Sequence, residues 1–88
     1  MDRNFREAFA QLEKMGVPVI EGGDDGDEGT FRISGEDNHN GTVWADYWEE
    51  FCDDSWAFGV NPEIEKVLSS HGLFCDWINP GVLGVYNV

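Results

Sequence analysis

The chain has 88 residues, of which 41% are hydrophobic and 14% aromatic, enough apolar material for one core but not for two. Eighteen Asp and Glu residues face five Lys and Arg residues, so the formal net charge is -13. Because direct binding to nucleic acid or to anionic membranes draws on clustered Lys and Arg, this balance argues against both, and we expect one acidic domain over residues 1–88.

The first predicted element is an amphipathic helix from Asp2 to Met15, because apolar residues recur there at helical spacing. Gly16 is expected to end it, with a proline soon after. Two alternatives fit its N-terminus: Asn4 and Glu7 have the form of a capping box, and Asp2 is an equally good cap.

Short strand-like runs alternate with turns in the middle of the chain. Residues 17–20 and 30–34 have apolar or alternating patterns typical of strands, and the glycine-rich acidic stretch 21–29 between them predicts a mobile loop. Residues 35–41 predict a turn that ends in a hairpin signal. Residues 42–49 have the clearest alternation, which puts Trp44, Asp46 and Trp48 on one face and Val43, Ala45 and Tyr47 on the other.

A second helix and a hairpin complete the chain. Asn61 followed by Pro62 predicts a helix start, with Ile64, Val67, Leu68 and His71 on one face and Gly72 at its end. Two strand-like runs, 73–78 and 82–88, flank a turn at 79–81. This order predicts an α+β fold, an antiparallel sheet of four to five strands with two helices packed on one face.

An acidic docking face is the leading candidate site. Between Glu21 and Asp54 there are twelve acidic residues and one basic residue, Arg32. Acids around large aromatic side chains suit docking on a basic protein surface. The alternative is that the tryptophans are core and the acids provide solubility. The predicted partner-binding residues are Trp44, Asp46, Trp48, Glu49, Glu50, Asp53 and Asp54.

These features favour a non-catalytic interaction protein rather than an enzyme. The expected partner is a protein with a basic surface. In one form of the hypothesis this partner is a nucleic-acid-binding protein, and the chain acts as a nucleic-acid mimic. In overall character, not in any motif, the chain is similar to small acidic inhibitors made by phages and mobile elements. A homo-oligomeric structural subunit, with exposed aromatics buried between copies, is a further alternative.

The acidic loop supports a contrasting hypothesis. Asp24, Asp25, Asp27 and Glu28 offer the oxygen ligands that Ca²⁺ and Mg²⁺ prefer, which would suit a weak divalent-cation site or a small hydrolytic protein. The loop lacks the ligand spacing of a calcium-binding hand. A solvated loop is therefore the simpler interpretation.

Cysteine, histidine and serine residues give no recognised reactive pattern. Cys52, Cys75, His39 and His71 lack the close spacing of zinc ligands, and buried cysteines are the simpler interpretation. Adjacent helical residues point in different directions, so the run 69–71 predicts no catalytic triad. We expect no cofactor. Without a signal peptide or an apolar run of membrane-spanning length, a cytoplasmic location with reduced thiols is expected, although pairing of the two cysteines stays open.

Overall fold

The computed structural model describes residues 2–23, 28–35, 44–47, 56 and 58–88. Its elements, in chain order, are α1 (Arg3–Met15), β1 (Val19–Glu21), β2 (Phe31–Ser34), α2 (Pro62–Ser70), β3 (Leu73–Asn79) and β4 (Val82–Asn87). The four strands form one antiparallel sheet in the order β1-β2-β4-β3. The helices contribute to the same core as the sheet, so the predicted α+β fold is confirmed.

Both helices begin and end close to their predicted positions. Gly16 has a left-handed φ of 95° and ends α1, and its backbone N–H donates to carbonyls of the last turn. The side chain of Asn61 accepts a hydrogen bond from the backbone N–H of Glu63 at 3.0 Å, which caps α2. Neither of these two helices is long and apolar enough to cross a membrane.

The predicted capping box of α1 is wrong. Asp2 is the residue before the helix, and its side chain makes no capping hydrogen bond. Asn4 lies inside the helix, where its amide donates to the carbonyl of His71 at 3.4 Å. Glu7 instead pairs with Arg3, one helical turn earlier, at 2.8 Å. The capping-box pattern therefore places the helix start two residues too late, because the N-cap position is Asp2 and both Asn4 and Glu7 lie within the helix.

The core lies between the helices and one face of the sheet. Alternate residues of the strands point into it, so that the side chains of β2 and β4 that face the helices are fully buried. The ring of Phe31 lies edge-on to the rings of Phe5 and Phe9, at centroid distances of 6.5 and 5.3 Å. These contacts tie the first helix to the second strand.

The strand predicted over residues 42–49 is not found in the part that the structure describes, residues 44–47. Ala45 forms a single antiparallel bridge with Val60, and no hydrogen-bonded strand of the sheet includes this segment. The N–H of Asp46 donates to the carbonyl of Gly59, and the N–H of Asn61 donates to the carbonyl of Trp44. The backbone of this segment is therefore paired with the turn before α2 rather than with the sheet.

Candidate functional site

The two helices carry no net formal charge. They contribute four basic and four acidic side chains: Arg3, Arg6, Lys14 and Lys66, and Glu7, Glu13, Glu63 and Glu65. The whole formal charge of -13 therefore comes from residues outside these helices. Arg32 is the one Lys or Arg of the sequence that remains there, and it lies on β2.

Part of the positive charge is already engaged within the molecule. Arg3 contacts Glu7 at 2.8 Å, and Lys66 contacts Glu63 at 3.4 Å. The hydrogen bond from Arg3, followed by its charge, lowers the pKa of Glu7 from its usual value. Such exposed pairs add little stability, but they balance the helical surface locally. Arg32 donates from Nε to the carbonyl of Gly22 at 3.0 Å.

The structure describes two of the seven predicted partner-binding residues. Trp44 is 8% exposed and packs in the core, so it corrects the prediction that its ring lies on a docking face. Among the described residues, its indole nitrogen is buried without a hydrogen-bond partner. Asp46 is half-buried. The remaining five lie outside the described residues: Trp48, Glu49, Glu50, Asp53 and Asp54.

Exposed aromatic side chains gather instead around Trp77, on the edge strand β3. The ring of Tyr47, 41% exposed, stands edge-on to the ring of Trp77 at a centroid distance of 5.2 Å. The indole nitrogen of Trp77 donates to the carbonyl of Phe58, whose side chain is 83% exposed. We call Tyr47, Phe58 and Trp77 the Trp77 corner.

Glycines allow the close packing at the Trp77 corner. A Cβ on Gly35 would lie 2.6 Å from Cζ3 of Trp77, so a larger residue would displace the indole. Gly59 has a φ of 76°, and a Cβ there would overlap the carbonyl oxygen of Asp46. The turn at Phe58 and Gly59 is thus pressed against the backbone of Asp46. The backbone of Asp46, a residue of the predicted docking set, therefore lies against the turn that carries Phe58.

Sequence reasoning missed the Trp77 corner because its members are far apart in the chain. The hydrogen-bonded Phe58 and Trp77 are 19 positions apart in the sequence. No local period relates these positions, and the stretch that contains Phe58 has no regular pattern. The one usable signal was Gly59, which follows an aromatic residue at a point where the chain must turn.

A second exposed aromatic pair lies on the sheet face opposite the helices. Phe74 on β3 and Tyr86 on β4 are cross-strand neighbours, with ring centroids 5.5 Å apart. The Tyr86 side chain folds back over Gly84, since a Cβ on that glycine would overlap the tyrosine hydroxyl. The Tyr86 ring therefore covers a glycine of the sheet, and this contact within the chain accounts for part of the ring surface that is removed from solvent.

The predicted cation loop is described at one position. Glu28 is exposed, whereas Asp24, Asp25 and Asp27 lie outside the described residues. Within the described ranges, no three His, Cys, Asp or Glu residues are grouped closely enough to hold a metal ion. The divalent-cation hypothesis consequently stays a prediction.

The thiol of Cys75 and the imidazole of His71 both have contacts within the fold. Cys75 is a free thiol packed partly against the core, and burial, followed by the charges of Glu65 and Asp76, raises its pKa to about 12. His71 lies 3.3 Å from the side-chain oxygen of Gln11 through Nε2. His39 and Cys52 lie outside the described residues.

The hydroxyls next to His71 are also engaged locally. Ser69 donates to the carbonyl of Lys66 at 3.3 Å, and Ser70 donates to the carbonyl of Val67 at 2.7 Å. Both bonds reach back one helical turn, as serine side chains commonly do near helix ends. Neither hydroxyl is directed at the imidazole by these bonds.

Comparisons with protein-family models, with curated proteins and with solved structures found no match to this chain. No relative therefore supplies a function that could be carried over.

Proposed function

We propose that this chain is a non-catalytic interaction protein that docks on a basic protein surface through the acidic residues of segment 21–54. The observation that carries the proposal is the neutrality of the helices, which leaves the full charge of -13 to the rest of the chain. Segment 21–54 holds twelve acids and Arg32. Such a concentration of one sign accelerates encounter with an oppositely charged surface and disfavours like-charged partners.

The Trp77 corner supports the proposal by adding contact area next to the acids. Asp46 touches the turn that holds Phe58, and Tyr47 follows Asp46 in the chain. Interfaces between proteins combine aromatic side chains at their centre with a polar or charged rim. A basic partner could form salt bridges with the acidic residues around an apolar contact with the aromatic rings.

The partner class proposed here includes proteins that bind nucleic acids, because their surfaces are basic. In that case the carboxylates of segment 21–54 would occupy positions otherwise taken by phosphates, and the chain would be an inhibitor. The proposed setting is the cytoplasm. Release of the partner at high salt is expected, since exposed charges are screened over about 10 Å at 0.1 M salt.

Charge reversal at matched net charge tests the position of the docking site. One variant replaces Glu49, Glu50 and Asp53 by Lys, and the control replaces Asp2, Glu13 and Glu63 by Lys. Both variants have the same formal charge, so a difference between them reports location. The probe is a synthetic peptide of alternating lysine and serine, and its affinity is measured by calorimetry at low and high salt.

The first variant should lose about tenfold or more in affinity for the lysine–serine peptide, and the control should lose much less. Equal losses would show that total charge, rather than segment 21–54, attracts the peptide. Failure of the unmodified protein to bind the peptide at low salt would refute the proposal itself.

A further inference from the structure

Phe58 combines two features that the fold does not explain. Its backbone has a φ of 56°, in the left-handed region that residues with a Cβ avoid and that Gly, Asn and Asp adopt most readily. Its side chain is 83% exposed, so packing within the chain gives almost nothing in return. Residues that break a local rule without an internal gain are commonly found where a protein contacts something else.

The backbone that carries Phe58 is firmly held. Its carbonyl accepts the indole N–H of Trp77 at 2.7 Å. The next residue, Gly59, accepts the N–H of Asp46 at 2.6 Å, and Asn61 donates to Trp44 at 2.9 Å two residues later. Because these bonds fix the turn, the ring projects from a rigid base. Little backbone conformational entropy would be lost when a partner buries the ring.

We infer that Phe58 is the aromatic anchor of the docking surface and inserts into an apolar patch on the basic partner. The inference rests on the proposed function and names the contact that would give it specificity. Asp46 lies directly beside the turn, and the chain has a net charge of -13, so the surface that receives the ring must be positively charged around its apolar patch. Tyr47, which is exposed and whose ring contacts the ring of Trp77, extends the same contact.

The test compares two synthetic peptides of equal length and lysine content. In one the intervening residues are serine, and in the other they form a leucine stripe along an amphipathic helix. Phe58→Asn removes the ring and supplies a residue suited to the left-handed turn. Phe74→Thr is the matched control, because it removes an exposed phenylalanine from the outer sheet face.

The unmodified protein should bind the lysine–leucine peptide about tenfold more tightly than the lysine–serine peptide. Phe58→Asn should abolish this preference, leave the affinity for the lysine–serine peptide unchanged, and keep or raise the Tm. Phe74→Thr should keep the preference. Binding is measured by calorimetry and the Tm by thermal unfolding at one fixed salt concentration.

Three results would contradict the inference that Phe58 is the aromatic anchor. One is a preference for the leucine peptide that survives in Phe58→Asn or vanishes in Phe74→Thr. Another is a lower Tm for Phe58→Asn, which would make the ring a structural element. The third is a concentration-dependent dimer that Phe58→Asn abolishes, which would make a second copy the occupant. If the unmodified protein binds both peptides equally, the anchor fails and the proposed function stands; if it binds neither, both fail.

Discussion

The indole nitrogen of Trp77 lies 2.7 Å from the carbonyl oxygen of Phe58 and donates a hydrogen bond to it. This bond joins the edge strand β3 to the turn that precedes α2. It also holds the backbone of Phe58 in a left-handed conformation, and the Phe58 side chain is the most exposed aromatic one among the described residues. The hydrogen bond therefore links the stability of the fold to the geometry of the proposed docking surface.

Replacing Trp77 by Phe should lower the free energy of unfolding by about 1–2 kcal/mol, through loss of the hydrogen bond and of part of the ring contacts. Urea denaturation gives the value. Phe58→Asn, which keeps the carbonyl acceptor, is the control and should cause no such loss. An unchanged unfolding midpoint in Trp77→Phe would show that the bond contributes nothing to the fold.

The energetic cost of the close contact between Gly59 and Asp46 can be measured by comparison with Gly72. Gly72 also has a positive φ but has no neighbouring atom near its Cβ position. Gly59→Ala places a Cβ on the carbonyl oxygen of Asp46 at a φ of 76°, whereas Gly72→Ala meets nothing within 4 Å at a φ of 72°. We expect a loss of about 1–2 kcal/mol for Gly72→Ala, from the left-handed conformation alone. Gly59→Ala should lose about 1–3 kcal/mol more, because the backbone must also move.

Equal losses for the two alanine variants in chemical denaturation would contradict the contact between Gly59 and Asp46. A lower affinity for the lysine–leucine peptide is expected in Gly59→Ala even where it remains folded, since Phe58 is the neighbouring residue. Gly72→Ala should leave that affinity unchanged.

The covering of Gly84 by Tyr86 predicts coupling between the two positions. Gly84→Ala puts a Cβ on the tyrosine hydroxyl and 3.1 Å from Cδ1 of Ile78, so the Tyr86 ring must swing outward. A loss of about 1 kcal/mol is expected. In a Tyr86→Ser background the same alanine should cost much less, because the obstructing ring is absent. Additive losses in this double-mutant cycle would show that the ring does not cover the glycine.

Burial of the Cys75 thiol predicts a loss of stability at alkaline pH. Its pKa is about 12 in the folded protein and 9.0 without such burial, so the folded state holds the thiol proton more firmly than the unfolded chain does. This contribution is complete below pH 9 and is lost as the pH rises towards 12. Unfolding free energies of the native protein and of Cys75→Ala should therefore converge over that interval. Parallel curves would contradict the raised pKa.

The sequence by itself predicted most of the secondary structure. Gly16 and Asn61 mark helix ends through local backbone chemistry, and the alternation of Phe31 and Ile33 identifies a strand with one buried face. These features depend on neighbours within a few residues, so their patterns can be read along the chain. The neutrality of the helices and the charge of segment 21–54 are likewise fixed by residue identity once the helix bounds are known.

Tertiary structure decided which aromatic rings are available to a partner. Alternation placed Trp44 and Tyr47 on opposite strand faces, but it could not say which face would be covered. In the folded chain Ala45 pairs with Val60 and Trp44 is buried in the core, whereas Phe58 is exposed while its carbonyl accepts a hydrogen bond from Trp77. These contacts join residues distant in the chain, and their energies depend on how the whole chain packs rather than on local periodicity.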